Sequence, residues 1–139
     1  MAIFATARIL LVNSKNELLI VRRSATDPRH AGEWDIPGGR LEPGEDVMAA
    51  GIRETEEEVG VIARNPQLVF GMSKTRVDGT GTWIFFLERL SLSGDENPEI
   101  ILSNEHDQYK WVPFKDLPNY TEAVVLLEMH TFLTTHNII

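Results

Sequence analysis

Apolar runs separated by polar turns predict the strands of one sheet. Phe4–Val12 and Glu17–Arg23 flank an Asn-Ser-Lys-Asn turn and predict a hairpin. Gln67–Val77 and Thr82–Leu90 flank a glycine-containing turn and predict a second hairpin. Asn104–Val112 leads into a last strand. The Trp-Ile-Phe-Phe-Leu run inside the fourth segment is apolar on both faces, which predicts a central strand with its aromatic side chains in the core.

Two segments carry helical periodicity instead. Asp46–Val59 places Met48, Ile52, Thr55 and Val59 on one stripe, which predicts the face turned to the core. Tyr120–His136 predicts an amphipathic closing helix whose apolar spacing comes from Val124, Leu127 and Phe132. Strand, helix, strands and helix in this order predict an α/β fold, a mixed sheet between two helices in an α/β/α sandwich.

Composition narrows the class of protein. The chain has 139 residues without an internal repeat or boundary, which predicts a single domain over residues 1–139. Its net charge is −8, from 21 acidic and 13 basic residues, which argues against binding duplex nucleic acid. The absence of cysteine excludes disulfides, thiolate metal sites and cysteine nucleophiles. The amino-terminal run lacks a signal-peptide pattern and no apolar stretch could span a bilayer, so we expect a cytoplasmic protein without membrane contact, as a monomer or homodimer.

A second stripe of the first helix concentrates carboxylates beside small residues. Glu54, Glu57 and Glu58 share this stripe with Ala50 and Gly51. Like charges at these spacings destabilise a helix by roughly 0.2–0.5 kcal/mol per pair, and a cation reverses the sign. Carboxylate oxygens suit Mg²⁺, so the stripe predicts a metal site beside the preceding glycines. The alternative is a solvated acidic face, which is our interpretation of the neighbouring Glu56.

The spacing around this helix carries a family resemblance. Gly39, five residues, Glu45, seven residues and then Arg-Glu-Thr-Glu-Glu-Glu-Val-Gly-Val from Arg53 is similar to the signature box of the Nudix hydrolases. Thr55 departs from the aliphatic residue usual in the family. Glu45 and Arg53 are predicted to organise the loop–helix junction, with Arg53 reaching Glu57, and Gly60 to end the helix in a left-handed conformation.

The resemblance implies a metal centre and a catalytic base. It adds the carbonyl of Gly38 to Glu54, Glu57 and Glu58 as ligands of Mg²⁺, with Mn²⁺ as a substitute. Glu54 is expected to act on the attacking water, and Glu105 is the alternative base. Asp107 competes with Glu105 for that role, and His106 is interpreted as a loop residue.

The resemblance also implies the reaction, which is hydrolysis of a phosphoanhydride in a nucleoside diphosphate linked to another moiety. The MutT-like branch implies a nucleoside triphosphate cleaved to a monophosphate and pyrophosphate. Nucleotide sugars, ADP-ribose and coenzyme A remain alternatives, as does a nucleotide sensor without catalysis. Arg23 and Arg40 are the expected phosphate ligands, against the alternatives of a solvated strand end for Arg23 and a surface ion pair for Arg40. Asn119 is a candidate base contact, and Trp34 is interpreted as a packing residue.

Overall fold

The computed structural model describes residues 2–139 and confirms the predicted fold class, a mixed seven-stranded sheet with helices. The strands are β1 (Ala2–Val12), β2 (Glu17–Arg23), β3 (Trp34–Asp35), β4 (Gly38–Arg40), β5 (Gln67–Thr75), β6 (Gly81–Ser91) and β7 (His106–Pro113). The helices are α1 (Val47–Val59) and α2 (Val124–Thr135), with a 3₁₀ helix at Phe114–Asn119 before α2. Neither of the two α-helices within this range combines the length and apolar character needed to cross a membrane.

The sheet opens between its two central strands. β1 pairs with β2 at Val12 and Leu18, and the two strands diverge from there. The segment 34–40 fills the gap, because β3 pairs with β2 while β4 pairs with β1. β6 lies parallel on the other edge of β1, followed by β5, and β7 lies antiparallel on the other edge of β2. The Pro-Gly-Gly bend therefore lies in this gap between β1 and β2, which we call the fork of the sheet.

The sheet separates two apolar layers, since successive side chains of a strand point to opposite faces. Ile9 and Leu11 of β1 join the layer that contains Val59 of α1. Leu10 and Val12 face the opposite layer, where the buried side chains of α2 lie; these are Leu126, Met129 and Leu133. The two helices thus cover opposite faces of the sheet, as the sequence predicts.

Local signals fix the ends of α1. The Asp46 side chain accepts a hydrogen bond from the Ala49 N–H at 2.8 Å, which satisfies one of the free donors of the first turn. Gly60 ends the helix at φ 75°, a left-handed conformation that favours glycine, and donates its N–H to the Glu56 carbonyl at 2.9 Å.

Both predicted helical faces need correction. In α1, Met48 and Ile52 are only half-buried, whereas Ala50, Gly51 and Glu58 are buried with Thr55 and Val59. α1 is turned so that part of its carboxylate stripe lies against the sheet. In α2 only part of the predicted apolar face is right: Phe132 is half-buried and packs against the core, whereas Leu127 is half-buried and Val124 exposed, because the Leu126 stripe turns inward.

The aromatic side chains of β6 also depart from prediction. β6 lies inside the sheet between β1 and β5. Trp83, Phe85 and Phe86 are nevertheless only half-buried, and each lines a cavity that residues of α2 also line. Two of them line a cleft that belongs to the site described below.

Candidate active site

Glu58 is the carboxylate most deeply placed at the fork of the sheet. Its residue is 5% exposed, and its Oε2 accepts a hydrogen bond from the Gly38 N–H at 3.1 Å. Burial raises the pKa of Glu58 to about 8; the Gly38 hydrogen bond and Arg8 oppose this, while Glu54 and Glu105 add to it. Gly38 has φ 152°, and a Cβ there would lie 2.3 Å from the Ala7 carbonyl oxygen, so no side chain fits at this position.

Glu54 lies one turn earlier on α1, against the second glycine of the bend. A Cβ on Gly39 would come within 2.5 Å of the Glu54 carboxylate carbon, so the missing side chain makes room for the carboxylate. Arg53 NH1 donates to Glu54 Oε1 at 3.0 Å. The Oε2 atom of Glu54 has no hydrogen-bond partner within residues 2–139.

Arg53 ties this helix to the loop before it. Its Nε and NH2 donate to the two oxygens of Glu45 at 2.7 and 2.9 Å, and NH2 also reaches the Arg40 carbonyl at 3.1 Å. The paired guanidinium lowers the pKa of Glu45 to about 2, and Glu45 in turn raises the pKa of Arg53. These are the contacts expected of residues that organise the loop–helix junction.

The three glutamates do not gather around one point as they stand. Glu57 is largely exposed, and one of its oxygens accepts from Arg53 NH1 at 3.4 Å. Over the described chain, 2–139, no three carboxylates or histidines lie close enough to hold a metal ion. Separate hydrogen bonds keep the carboxylates apart: Arg53 donates to Glu54 and Glu57, whereas the Gly38 N–H donates to Glu58.

The chemistry of the donor set nevertheless fits a divalent cation. Glu58 is a buried carboxylate with two acidic neighbours, and its charged form is stabilised only by the Gly38 hydrogen bond and by Arg8 within residues 2–139. All the candidate ligands are oxygens, which Mg²⁺ and Mn²⁺ accept. A cation between these carboxylates would offset the burial that raises the pKa of Glu58 and the smaller repulsion from Glu54 and Glu105.

The loop that carries Glu105 is attached directly to the end of α1. The Ser103 N–H donates to the Glu58 carbonyl at 3.0 Å, and the Ser24 N–H donates to the Glu105 carbonyl at 2.9 Å. Glu105 is exposed and close enough to influence the pKa of Glu58. Its competitor Asp107 accepts from Arg22 Nε at 2.8 Å, which holds its carboxylate at the surface.

His106 lies in a strand and not in a loop, contrary to prediction. It opens β7, pairs with Arg23 at a bulge, and is 5% exposed. Burial lowers its pKa and nearby Arg23 and Arg8 lower it further, while Asp35 and Glu105 oppose this. Within the described range its Nδ1 has no partner.

Two arginines and one aspartate line the face of the fork opposite α1. Asp35 Oδ2 lies 3.2 Å from Arg8 NH1 and 3.4 Å from Arg23 NH2, and Arg23 NH1 lies 3.5 Å from Asp27. Arg23 is therefore held between two carboxylates, which differs from the solvated strand end considered as its alternative. Arg8 NH1 also donates to the Ile36 carbonyl at 2.9 Å.

Arg8, Arg23 and Asp35 border a cleft of about 370 Å³ with aromatic walls. Trp34, Trp83 and Phe85 line it, together with the first residues of α2. Trp34 also borders a neighbouring cavity of about 530 Å³ that Asn119 lines. Trp34 therefore combines packing against Tyr120, at 6.1 Å between ring centroids, with a place on the cleft wall.

Over the described part of the chain, Arg40 does not form the surface ion pair considered as its alternative role, and its phosphate contact stays a prediction. Its guanidinium stacks over Phe4 and Trp83, at 4.8 and 5.0 Å from the ring centroids. Within residues 2–139 no carboxylate lies at ion-pair distance from it, so the predicted surface ion pair is absent. The stacking places its guanidinium beside Trp83, which lines the cleft.

Sequence reasoning missed two residues. Arg8 stands alone in an apolar strand and enters the site only through the pairing of β1 with β4. Glu88 on β6 is fully buried beneath α1, and neither of its oxygens has a partner within residues 2–139. Burial, with a contribution from Asp46, raises the pKa of Glu88 to about 7. A Cβ on Gly51 would lie 1.9 Å from Glu88 Oε2.

Comparison with known proteins gives consistent matches. The NUDIX domain family matches residues 3–129. The asymmetrical bis(5'-nucleosyl)-tetraphosphatase of Mus musculus is 32% identical over 129 residues, which span 87% of this chain and 83% of that protein. The nucleoside triphosphatase NudI of Klebsiella pneumoniae is 29% identical over 116 residues, which span 79% of this chain and 82% of its own.

Solved structures share the fold. The MutT protein of Methanosarcina mazei superimposes with a TM-score of 0.81 at 24% identity, covering 98% of this chain and 96% of that one. A Caenorhabditis elegans Ap4A hydrolase superimposes with a TM-score of 0.64 at 23% identity, covering 94% of this chain and 98% of that one.

Proposed function

We propose a substrate for this chain, which belongs to the Nudix hydrolase family and is a pyrophosphohydrolase acting on acid anhydrides. It cleaves nucleoside triphosphates to a monophosphate and pyrophosphate. The observation that carries the proposal is the fork of the sheet, where Glu58 and Glu54 flank the Pro-Gly-Gly bend beside an aromatic cleft. Aromatic walls suit a nucleobase, and the carboxylates suit a cation that accompanies phosphates.

The residues have separate tasks in this proposal. Glu54, Glu57, Glu58 and the Gly38 carbonyl would hold Mg²⁺ or Mn²⁺, which when bound offsets the charge of the phosphate oxygens. Glu54 takes the proton of the attacking water on Oε2, the oxygen that Arg53 leaves unoccupied. Glu105 is the alternative base, on a loop attached to the same helix.

The arginines bind the substrate in this proposal. Arg23 and Arg40 donate to its phosphates, as the family resemblance suggests, and the aromatic stacking of Arg40 limits the side-chain freedom lost on binding. Trp34, Trp83 and Phe85 hold the base, with Asn119 at the edge of the neighbouring cavity. A single domain over 1–139, a monomer or homodimer and a cytoplasmic location complete the proposal.

A dinucleoside tetraphosphate is the second candidate substrate. The mouse relative, which is named a bis(5'-nucleosyl)-tetraphosphatase, matches over 87% of this chain, and the reaction breaks the same kind of bond. A nucleoside monophosphate is a product in both cases.

A panel of nucleotides tests the proposal. The protein is incubated with ATP, GTP, dGTP, Ap4A, ADP-ribose and coenzyme A, with Mg²⁺, with Mn²⁺ and with EDTA, and the products are separated by ion-exchange chromatography. Pyrophosphate and a monophosphate from triphosphates are expected; ATP and AMP from Ap4A favour the second candidate. Tight binding without products contradicts the proposal and supports a sensor.

A further inference from the structure

Arg8 occupies the point where the two faces of the fork meet. It pairs with Gly38 across β1 and β4, and a Cβ on Gly38 would lie 2.6 Å from both its Cα and its Cγ. The N–H of the same Gly38 donates to Glu58 on the α1 side. One glycine therefore separates the stem of Arg8 from the carboxylate at the reaction centre.

The guanidinium of Arg8 is held in place by contacts of NH1, while its other nitrogen donors are not used within residues 2–139. NH1 donates to the Ile36 carbonyl and lies 3.2 Å from Asp35. Within residues 2–139 no carbonyl or carboxylate accepts from its Nε or NH2. The contacts of NH1 hold the guanidinium in place, and because the side chain is 19% exposed it remains open to the cleft. Such a group loses little freedom when it binds an anion.

The position of Arg8 suggests which part of a nucleotide it meets. The aromatic walls lie on the α2 face of the sheet, while Glu54 and Glu58 lie on the α1 side of the bend. A substrate with its base in the cleft and its anhydride at the carboxylates has its nucleoside-proximal phosphate between them. Arg8 borders the cleft and lies close enough to Glu58 to lower the pKa of that carboxyl.

We infer that Arg8 is a substrate-binding residue that donates hydrogen bonds to the phosphate attached to the nucleoside, between the aromatic cleft and Glu58. This inference rests on the proposed function and extends it to a residue outside the signature box. A planar guanidinium with two free donors matches a phosphate better than an ammonium does.

The test compares a nucleoside monophosphate with its nucleoside, because the two differ only in that phosphate. AMP and adenosine, then GMP and guanosine, are titrated calorimetrically into the metal-free protein. Arg8→Met is expected to weaken binding of the monophosphates by about 10- to 100-fold, as for a charge-assisted hydrogen bond, and to leave the nucleosides within about twofold. Arg22→Met is the matched control, because Arg22 is likewise paired with an aspartate but does not line the cleft.

Three results would overturn the inference. These are equal monophosphate binding by the Arg8→Met and Arg22→Met variants, a loss that affects nucleosides as strongly as monophosphates, and wild-type protein that binds monophosphates no more tightly than nucleosides. If Arg8→Met does not fold, Arg8→Lys and Arg22→Lys give the same comparison with a smaller expected loss. Binding is measured without catalysis, so a wild-type protein that hydrolyses no nucleotide refutes the proposed function and leaves this measurement valid.

Discussion

The buried carboxylate of Glu88, which has no hydrogen-bond partner within residues 2–139, makes the stability of this protein depend on pH. Its pKa is about 7 in the folded chain against an ordinary 4.5, so between these values the folded state keeps a proton that the unfolded state has lost. The free energy of unfolding therefore falls as pH rises through this window, by roughly 1.4 kcal/mol per pH unit. From pH 4.5 to above 7 the total is about 3 kcal/mol, and the loss stops once both states are ionised.

Replacing the ionisable group by its neutral isostere isolates this effect. Glu88→Gln is expected to unfold with a free energy close to that of the wild type at pH 5 and to exceed the wild type by about 3 kcal/mol at pH 8. Urea unfolding, followed by tryptophan fluorescence in EDTA at pH 5, 6, 7 and 8, measures the difference. Glu56→Gln, an exposed position on α1, is the control. A difference between wild type and Glu88→Gln that is constant across this range would refute the reasoning.

Four further results are expected. Gly51→Ala destabilises the wild type, because its Cβ would lie 1.9 Å from Glu88 Oε2, and destabilises a Glu88→Ala background less, because only the 3.2 Å approach to Ile9 Cγ1 remains; urea unfolding of the four proteins checks this coupling, and equal effects in both backgrounds would contradict it. Glu58→Gln and Glu57→Gln each abolish metal-dependent turnover while circular dichroism stays unchanged, and retained turnover in both would contradict the ligand assignment. Affinity for Mn²⁺ rises about tenfold per pH unit below pH 8, since Glu58 must lose its proton, and a pH-independent calorimetric Kd would contradict this. Glu54→Gln lowers kcat by about 10²- to 10⁴-fold with little change in KM, whereas a change in KM alone would exclude a role as base.

Features coded by neighbouring residues were predictable from the sequence. β2 spans Glu17–Arg23 as predicted, because its turn and apolar run are contiguous. α1 begins and ends within a residue of prediction, because Asp46 and Gly60 cap it through bonds to residues three and four positions away. Caps and turns depend on short-range geometry that a sequence displays directly.

Features created by pairing between distant segments were not predictable. Arg8 looks like a solvated charge until β4 brings Gly38 beside it. Glu88 follows an aromatic run and looks like the polar end of a strand, whereas it lies under Gly51 in the interior. The inward stripe of α2 was misplaced because apolar residues occur around most of the helix, so the tertiary contacts choose the face.

The bond from the Ser103 N–H to the Glu58 carbonyl has a practical consequence for protein engineering. The exposed turn at Gly94–Glu96 precedes Ser103 in the chain and does not take part in this bond, so a peptide tag or a small fluorescent reporter inserted there should leave catalysis intact. The same insertion between Leu102 and Glu105 would break the hydrogen bond from Ser103 to Glu58 and move the Glu105 loop away from the end of α1. Positions that tolerate an insertion and positions that do not thus lie only a few residues apart in the segment that connects β6 to β7.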